Sequence, residues 1–109
     1  MQKIDLARAK LHLRMAEDDV EEDLLIEGWI AAAYLAIEGK IFSKLYEGEA
    51  EIPEGRTGVV IDEVIHAAAQ LILGHLYVNR EEVAPGQAAT IPMGAEWLLL
   101  PYVDTSKGF

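Results

Sequence analysis

The chain has 109 residues, enough for one domain with a single core, and it has no cysteine, which excludes disulfides. Its 19 acidic and 9 basic side chains give a formal net charge of −10, which argues against a protein that binds nucleic acid over a broad basic surface. Because 51% of the residues are hydrophobic but only 7% are aromatic, we predict an all-α fold in a single domain, residues 1–109.

A short N-terminal helix is predicted to begin after Asp5, whose carboxylate can accept the free backbone N–H groups of a first turn. Three apolar residues at helical spacing should pack against the body: Leu6, Ala9 and Leu13. Lys3, Lys10 and Arg14 fall on another face of this helix. We expect that face to be a solvated basic surface, with contact to a partner as the alternative.

The next segment is acidic, and no basic residue lies between positions 17 and 38. We predict that Asp18 or Asp19 caps a long helix here, with Glu21 or Glu22 completing a capping box and the acids favouring the positive end of the helix dipole. The run lacks the glycine-centred ligand spacing of an EF-hand, so a calcium loop is not predicted. The basic N-terminal arm and this acidic segment could pair within one chain or between neighbouring copies.

The pattern from Leu24 to about Phe42 predicts the first of two long helices. Its apolar residues form two adjoining stripes, one with Leu25, Trp29, Ala33, Ile37 and Ile41, the other with Ile26, Ile30 and Tyr34. One helical partner cannot cover both stripes, so we predict an oligomer in which one stripe contacts a neighbour. The candidate interface residues are Trp29, Ile30, Tyr34 and Ile37.

A glycine-rich, acidic stretch from Ser43 to Gly58 predicts a long surface loop between the two long helices. The second long helix, Val64 to Arg80, has no formal charge before its last residue and must therefore be buried. It is too short to span a membrane, for which about 20 apolar residues are needed, so its partner is protein. The candidate core anchors of the two helices are Leu25, Ile65 and Ile72.

A second loop, Val83 to Pro92, precedes one or two helical turns that end at Pro101. The large side chains of Trp97 and of Leu98 to Leu100 are predicted to anchor these turns in the body. The tail from about residue 104 to 109 is predicted to be mobile.

The best candidate for a metal site is Glu63 with His66, an E-x-x-H pair on the second long helix. A di-iron site needs two such pairs and two further carboxylates, which only a dimer adding Glu27 and Glu38 would supply. We therefore expect no metal and no cofactor, and we interpret His66, like two other histidines, as a structural residue. Those two are His12 and His75.

Catalytic residue patterns are not apparent in this sequence. Without cysteine there is no thiol nucleophile, and the two serines, Ser43 and Ser106, have no nucleophile-elbow context. The segment Gly55 to Gly58 lacks the lysine and the spacing of a phosphate-binding loop. We expect a protein that is not an enzyme.

Several short motifs follow one another along almost the whole chain. The N-terminal ones are Leu11-His12-Leu13-Arg14, the acids up to Asp23 leading into Leu24-Leu25-Ile26, and Ala31 to Ala33. The C-terminal ones are His75, Tyr77, Asn79-Arg80-Glu81, Ile91-Pro92-Met93-Gly94, Leu98-Leu99 and Pro101-Tyr102. With these motifs in this order, the chain resembles the small head-to-tail connector proteins of tailed bacteriophages.

The resemblance implies a helical subunit in a ring of about twelve copies, which docks on the portal protein and contacts tail-side connector or tail proteins. DNA would pass through the ring without specific binding, and an acidic subunit suits such a channel because its walls should not hold DNA. The implied location is the head-tail junction of the virion, and the host cytoplasm during assembly. The alternatives are a small cytoplasmic homo-oligomeric adaptor and, after it, an oligomeric metalloenzyme.

Overall fold

The computed structural model describes residues 1–16, 18–79 and 91–104. Within these ranges the chain is mostly helical, as its composition predicted, and the helices are α1 Leu6–His12, α2 Asp23–Ile41, α3 Glu63–Val78 and α4 Met93–Leu99. None of the helices in the described ranges is both long and apolar enough to cross a membrane. Most of the predicted loop Val83 to Pro92, and the predicted tail after residue 104, lie outside the described residues.

Helix α1 begins as predicted, because the Asp5 side chain accepts a hydrogen bond from the Arg8 backbone N–H at 2.8 Å. Its inner side contacts α2 and α3 through the fully buried Ala9. The prediction of a solvated basic face is wrong for Lys10, which is only 4% exposed. Its ammonium group bonds to Asp23 Oδ1 at 2.9 Å and to the carbonyl oxygen of Asp19, so the acidic segment provides the partners that let this charge be buried.

Helix α2 begins at Asp23, and its N-cap residue Glu22 makes no capping hydrogen bond with its side chain. The predicted cap by Asp18 or Asp19, with its capping box, is therefore wrong. The acidic segment instead receives the Lys10 side chain from α1. At its other end α2 stops at Phe42, which takes the left-handed conformation at φ 55°.

The core lies mainly between α2 and α3. Asp62 caps the start of α3, because its side chain accepts a 2.9 Å hydrogen bond from the Ile65 N–H. Ile65 and Ile72 are completely buried in this core. Leu25, the third predicted anchor, is 47% exposed and lies on the outer side of α2. Successive residues of a helix are about 100° apart around its axis, so Leu25 and Ile26 point in different directions. Ile26 is completely buried and occupies the core position instead of Leu25.

The connection between α2 and α3 contains regular structure that the sequence did not predict. Two short strands, β1 Leu45–Tyr46 and β2 Val59–Val60, pair in parallel, and a 3₁₀ turn at Glu49–Glu51 lies between them. Gly58 lies close to Tyr46 in this pairing, and a Cβ atom there would overlap the Tyr46 ring unless the ring moved. Strands of two residues are too short to show a period, which explains why the segment looked like an irregular loop.

Helix α4 packs on α3 through the buried residues Ala95 and Leu99 and is followed by a 3₁₀ turn, Leu100–Tyr102. The Lys40 ammonium of α2 pairs with the Glu96 carboxylate of α4 at 3.3 Å. The predicted anchoring by Trp97 and Leu98 to Leu100 is confirmed for Leu99, which is completely buried. It is wrong for Trp97 and Leu100, which are 73% and 60% exposed.

Candidate oligomer interface

The four α2 residues predicted to form an interface lie inside the protomer. Trp29, Ile30, Tyr34 and Ile37 are all at most 9% exposed. The Trp29 ring meets the Tyr77 ring of α3 edge to face, with 6.1 Å between centroids. Trp29 and Tyr34 contact Tyr77 and His66 of α3, and all four predicted interface residues belong to the core of a single chain. Any self-association through α2 would therefore use its opposite side. Self-association itself stays a prediction.

The opposite side of α2 carries a further apolar stripe, which is exposed in the part of the chain that the structure describes. Its members recur at spacings of four, three and four residues: Leu24, Gly28, Ala31 and Leu35. All are exposed, Leu24 by 85%, and a Cβ atom at Gly28 would meet no atom within 4 Å. We call these four residues the α2 outer stripe. The exposed Glu27 lies beside this stripe, so the surface is apolar with an acidic edge.

A second exposed apolar surface lies on the outer side of α1. A shallow cleft of about 310 Å³ is lined by Ala7, Arg8, Leu11 and Met15, and Leu11 is 78% exposed. Arg8 is a cation that lines this cleft, and Arg14 is exposed just beyond the end of the helix. Arg8 also pairs with the exposed carboxylate of Glu63, at 3.8 Å. We call the four lining residues the α1 outer face.

Helix α4 has a third such surface, because Met93, Trp97 and Leu100 follow one another at helical spacing and are each at least 60% exposed. Together the three surfaces place large apolar side chains on the outside of a small, strongly acidic subunit. A soluble monomer exposes single apolar residues freely, but grouped ones mark contact sites.

Comparison with known families gives one match over most of the chain. The family described as "Phage gp6-like head-tail connector protein" matches residues 3–90. The chain belongs to this family of phage head-tail connectors. No curated protein and no solved structure matches the connector.

The family is a structural one, and the buried His66 of this connector has a structural role in the core. His66 is buried, and its Nδ1 atom lies 2.8 Å from the hydroxyl of Tyr34, which also accepts the Ile4 backbone N–H at 3.1 Å. Burial, and then the positive charge of Arg8, lower the pKa of His66 and outweigh the opposite effect of nearby carboxylates. Burial likewise raises the pKa of the Tyr34 hydroxyl. Both groups stay neutral at pH 7 and join the N-terminal segment to α2 and α3.

The E-x-x-H pair of the connector is not assembled as a metal site within one chain. Glu63 points outward and pairs with Arg8, whereas His66 points inward to Tyr34. Glu38 accepts the Leu45 N–H at 2.7 Å. Across the described residues, no three His, Asp or Glu side chains are grouped in a way that could hold a metal ion.

The strand connection contributes one further surface, a cleft of about 360 Å³ lined by Lys44, Tyr46, Gly55, Arg56 and Thr57. It places two cations at the end of the connector where β1 and β2 pair. Four exposed or half-exposed acids lie on the same connection: Glu47, Glu49, Glu51 and Glu54.

Sequence reasoning did not identify the two outer surfaces of α1 and α2. The signal was present in Leu11 and Leu24, which are large apolar residues outside the stripes that were assigned to the core. Such residues are common singly on protein surfaces, and only the structure shows that they lie beside Met15 and Ala31.

Proposed function

We propose that this connector is a non-enzymatic virion subunit that forms a ring of about twelve copies on the portal and lets DNA pass between the phage head and the tail. Its portal-side partner is the portal protein, and its tail-side partners are further connector or tail proteins. The subunit assembles from the host cytoplasm onto the head-tail junction. Each copy in the ring contributes the pair of long helices, α2 and α3, with the β1–β2 connection at one end.

The observation that carries this proposal is the exposed apolar surface of a chain that belongs to the connector family. Leu24 and Leu35 on α2, Leu11 on α1 and Trp97 on α4 are all at least 66% exposed. Their burial against other subunits would be worth roughly 1.5–3 kcal/mol for each large side chain that becomes fully covered. The alternative of a cytoplasmic adaptor outside any virion is not favoured, because residues 3–90 match the connector family.

The net charge of −10 supports the part of the proposal that concerns DNA. A duplex is itself a dense row of negative charges, so an acidic ring holds it by confinement and does not bind it. A channel that bound DNA tightly would resist the movement that packaging and ejection require.

Native mass spectrometry over a series of protein concentrations, with and without purified portal, tests the proposal. We expect oligomers that increase with concentration and a closed ring on the portal, visible by electron microscopy. A protein that stays monomeric at every concentration and does not bind the portal would contradict it.

A further inference from the structure

We propose that neighbouring subunits of the ring meet head to tail, with the α1 outer face of one copy packed on the α2 outer stripe of the next. This inference rests on the proposed ring and identifies the two surfaces that build it. The occupant of each surface is thus a second copy of this chain. The two surfaces are opposite in charge and alike in their apolar centres.

Shape and hydrophobicity are the first argument. The α2 outer stripe has Gly28 and Ala31 at its centre and the exposed side chains of Leu24 and Leu35 at its ends, so a projecting side chain can enter between the two leucines. The α1 outer face offers Leu11 as a projecting side chain beside a cleft. Small residues on one helix allow close approach of a large residue from the other, as in ridge-and-groove packing.

Charge is the second argument, and it selects among the possible partners. Two copies that each carry a net charge of −10 repel one another unless the contact joins unlike charges. The exposed Glu21 and Glu27 border the α2 outer stripe, whereas the α1 outer face includes Arg8 and is followed by the exposed Arg14. The pair of Arg8 with Glu63 is long, at 3.8 Å, and exposed, so it costs little to exchange for a contact with another copy. Helix α4 contains no basic residue, and its Glu96 is already paired with Lys40, so α4 offers Glu27 no cation.

Symmetry is the third argument. If the α2 outer stripe paired with itself, Glu27 would lie near Glu27 of the other copy and assembly would stop at a dimer. A contact between two different surfaces leaves one free copy of each surface at the ends of every oligomer. Such a head-to-tail contact builds a ring when the rotation between neighbouring copies closes, and an open filament when it does not.

The absence of cysteine from the chain gives a clean test, since any cross-link then comes from introduced residues. Leu11→Cys and Ala31→Cys place one thiol on each of the two surfaces, and Leu100→Cys places one on the exposed side of α4. Each variant is first checked for unchanged helical content and melting temperature. A short bismaleimide is then added to single variants and to mixtures.

We expect cross-linked dimers from the mixture of Leu11→Cys with Ala31→Cys. Neither variant alone, nor the control mixture of Leu100→Cys with Ala31→Cys, should give this dimer. A chain that carries both Leu11→Cys and Ala31→Cys should give a ladder of oligomers. Equal cross-linking in the control mixture, or cross-linking of Ala31→Cys with itself, overturns the proposed contact.

A matched pair of charge reversals tests the electrostatic argument. Glu27→Lys lies beside the α2 outer stripe, whereas Glu54→Lys changes the net charge equally at an exposed site on the β1–β2 connection. We expect loss of the cross-linked product only with Glu27→Lys, and equal yields from the two reversals overturn the role of charge. If the wild-type chain remains monomeric even with the portal, the proposed ring is wrong. If it associates but the yield of this cross-link equals that of the control mixture, the ring can stand and only the proposed contact is wrong.

Discussion

Lys10 is a buried cation at the junction of α1 and α2, and its removal should be costly. Replacing it with Met keeps the length of the side chain but leaves the Asp23 carboxylate and the Asp19 carbonyl without their donor. We expect Lys10→Met to lower the free energy of unfolding by about 2 kcal/mol, a value between those of exposed and of fully buried pairs because Asp23 is partly exposed.

Urea denaturation followed by circular dichroism measures this change in the Lys10→Met variant. The control is Lys44→Met, which removes an exposed lysine and should stay within about 0.5 kcal/mol of wild type. Equal stability of the two variants would mean that the Lys10 pair contributes nothing.

His66 should make the stability of the protein depend on pH. Its pKa is lowered in the folded protein from an ordinary value of 6.5, so the unfolded chain binds a proton more readily than the folded one. The neutral form of His66 therefore stabilises the fold fully above pH 6.5, and this contribution falls as the pH drops below that value. A single proton can change the free energy of unfolding by at most about 1.4 kcal/mol per pH unit.

The replacement His66→Asn tests this pH dependence, because its side-chain amide oxygen can accept the Tyr34 hydroxyl and does not titrate. We expect urea denaturation at several pH values between 7 and about 5 to show a flatter profile for this variant. The control His12→Asn changes an exposed histidine and should keep the wild-type profile. A wild-type profile in both variants would show that another group is responsible.

At the scale of the elements, the sequence predicted α2 and α3 nearly to their ends, and most residues of the two predicted α2 stripes are buried. One stripe was expected to contact a neighbouring copy, whereas residues of both stripes lie in the core of a single chain. Leu25 and Ile26 are equally apolar in the sequence, and only the folded chain shows that Ile26 is buried and Leu25 is half-exposed. Lys10 was misassigned for a similar reason, since its partner is thirteen residues away and on another element.

The pairing of β1 with β2 brings Gly58 close to the Tyr46 ring. A Cβ atom at Gly58 would overlap the Tyr46 ring and would lie 3.3 Å from the Lys44 carbonyl, so Gly58→Ala must move the ring or separate the strands. We expect a loss of about 1–3 kcal/mol in the free energy of unfolding, as for other overpacked sites.

The matched control for Gly58→Ala is Gly48→Ala, where a Cβ atom would meet nothing within 4 Å. That variant should be neutral or slightly more stable in the same denaturation experiment. Adding Tyr46→Ala to Gly58→Ala removes the overlapping ring, so the double variant should lose less free energy of unfolding than the two single variants lose together. If the loss in the double variant equals the sum of the two single losses, the steric explanation is contradicted.

At the scale of the whole molecule, charge and composition predicted the fold class, whereas the contact surfaces depended on the structure. The contrast between the basic N-terminal arm and the acidic segment was visible in the sequence, and pairing within one chain or between copies was left open. In the structure Lys10 pairs with an acid of its own chain, whereas Arg14 is exposed and is accessible to an acid of another copy. The sequence could not separate them because burial of Lys10 depends on the path of the chain between α1 and α2.

The burial of Lys10 also sharpens what to expect of DNA. Of the basic arm, three exposed cations are left to meet phosphates: Lys3, Arg8 and Arg14. With a salt slope of about −0.9 for each neutralised phosphate, three contacts would lose affinity by about 20-fold between about 50 mM and about 150 mM salt. We therefore expect at most weak duplex binding at low salt and no appreciable binding at physiological salt.

Fluorescence anisotropy with a labelled duplex at the two salt concentrations measures this affinity. Arg14→Gln should reduce any low-salt binding if the arm contacts the duplex, whereas Lys44→Gln, at the other basic cleft, serves as the matched control. Weak binding that disappears with salt fits a channel in which confinement holds the duplex. Tight, sequence-specific binding at physiological salt would instead require a DNA-binding regulator, because a net charge of −10 otherwise repels the duplex and a conduit has no need to read its sequence.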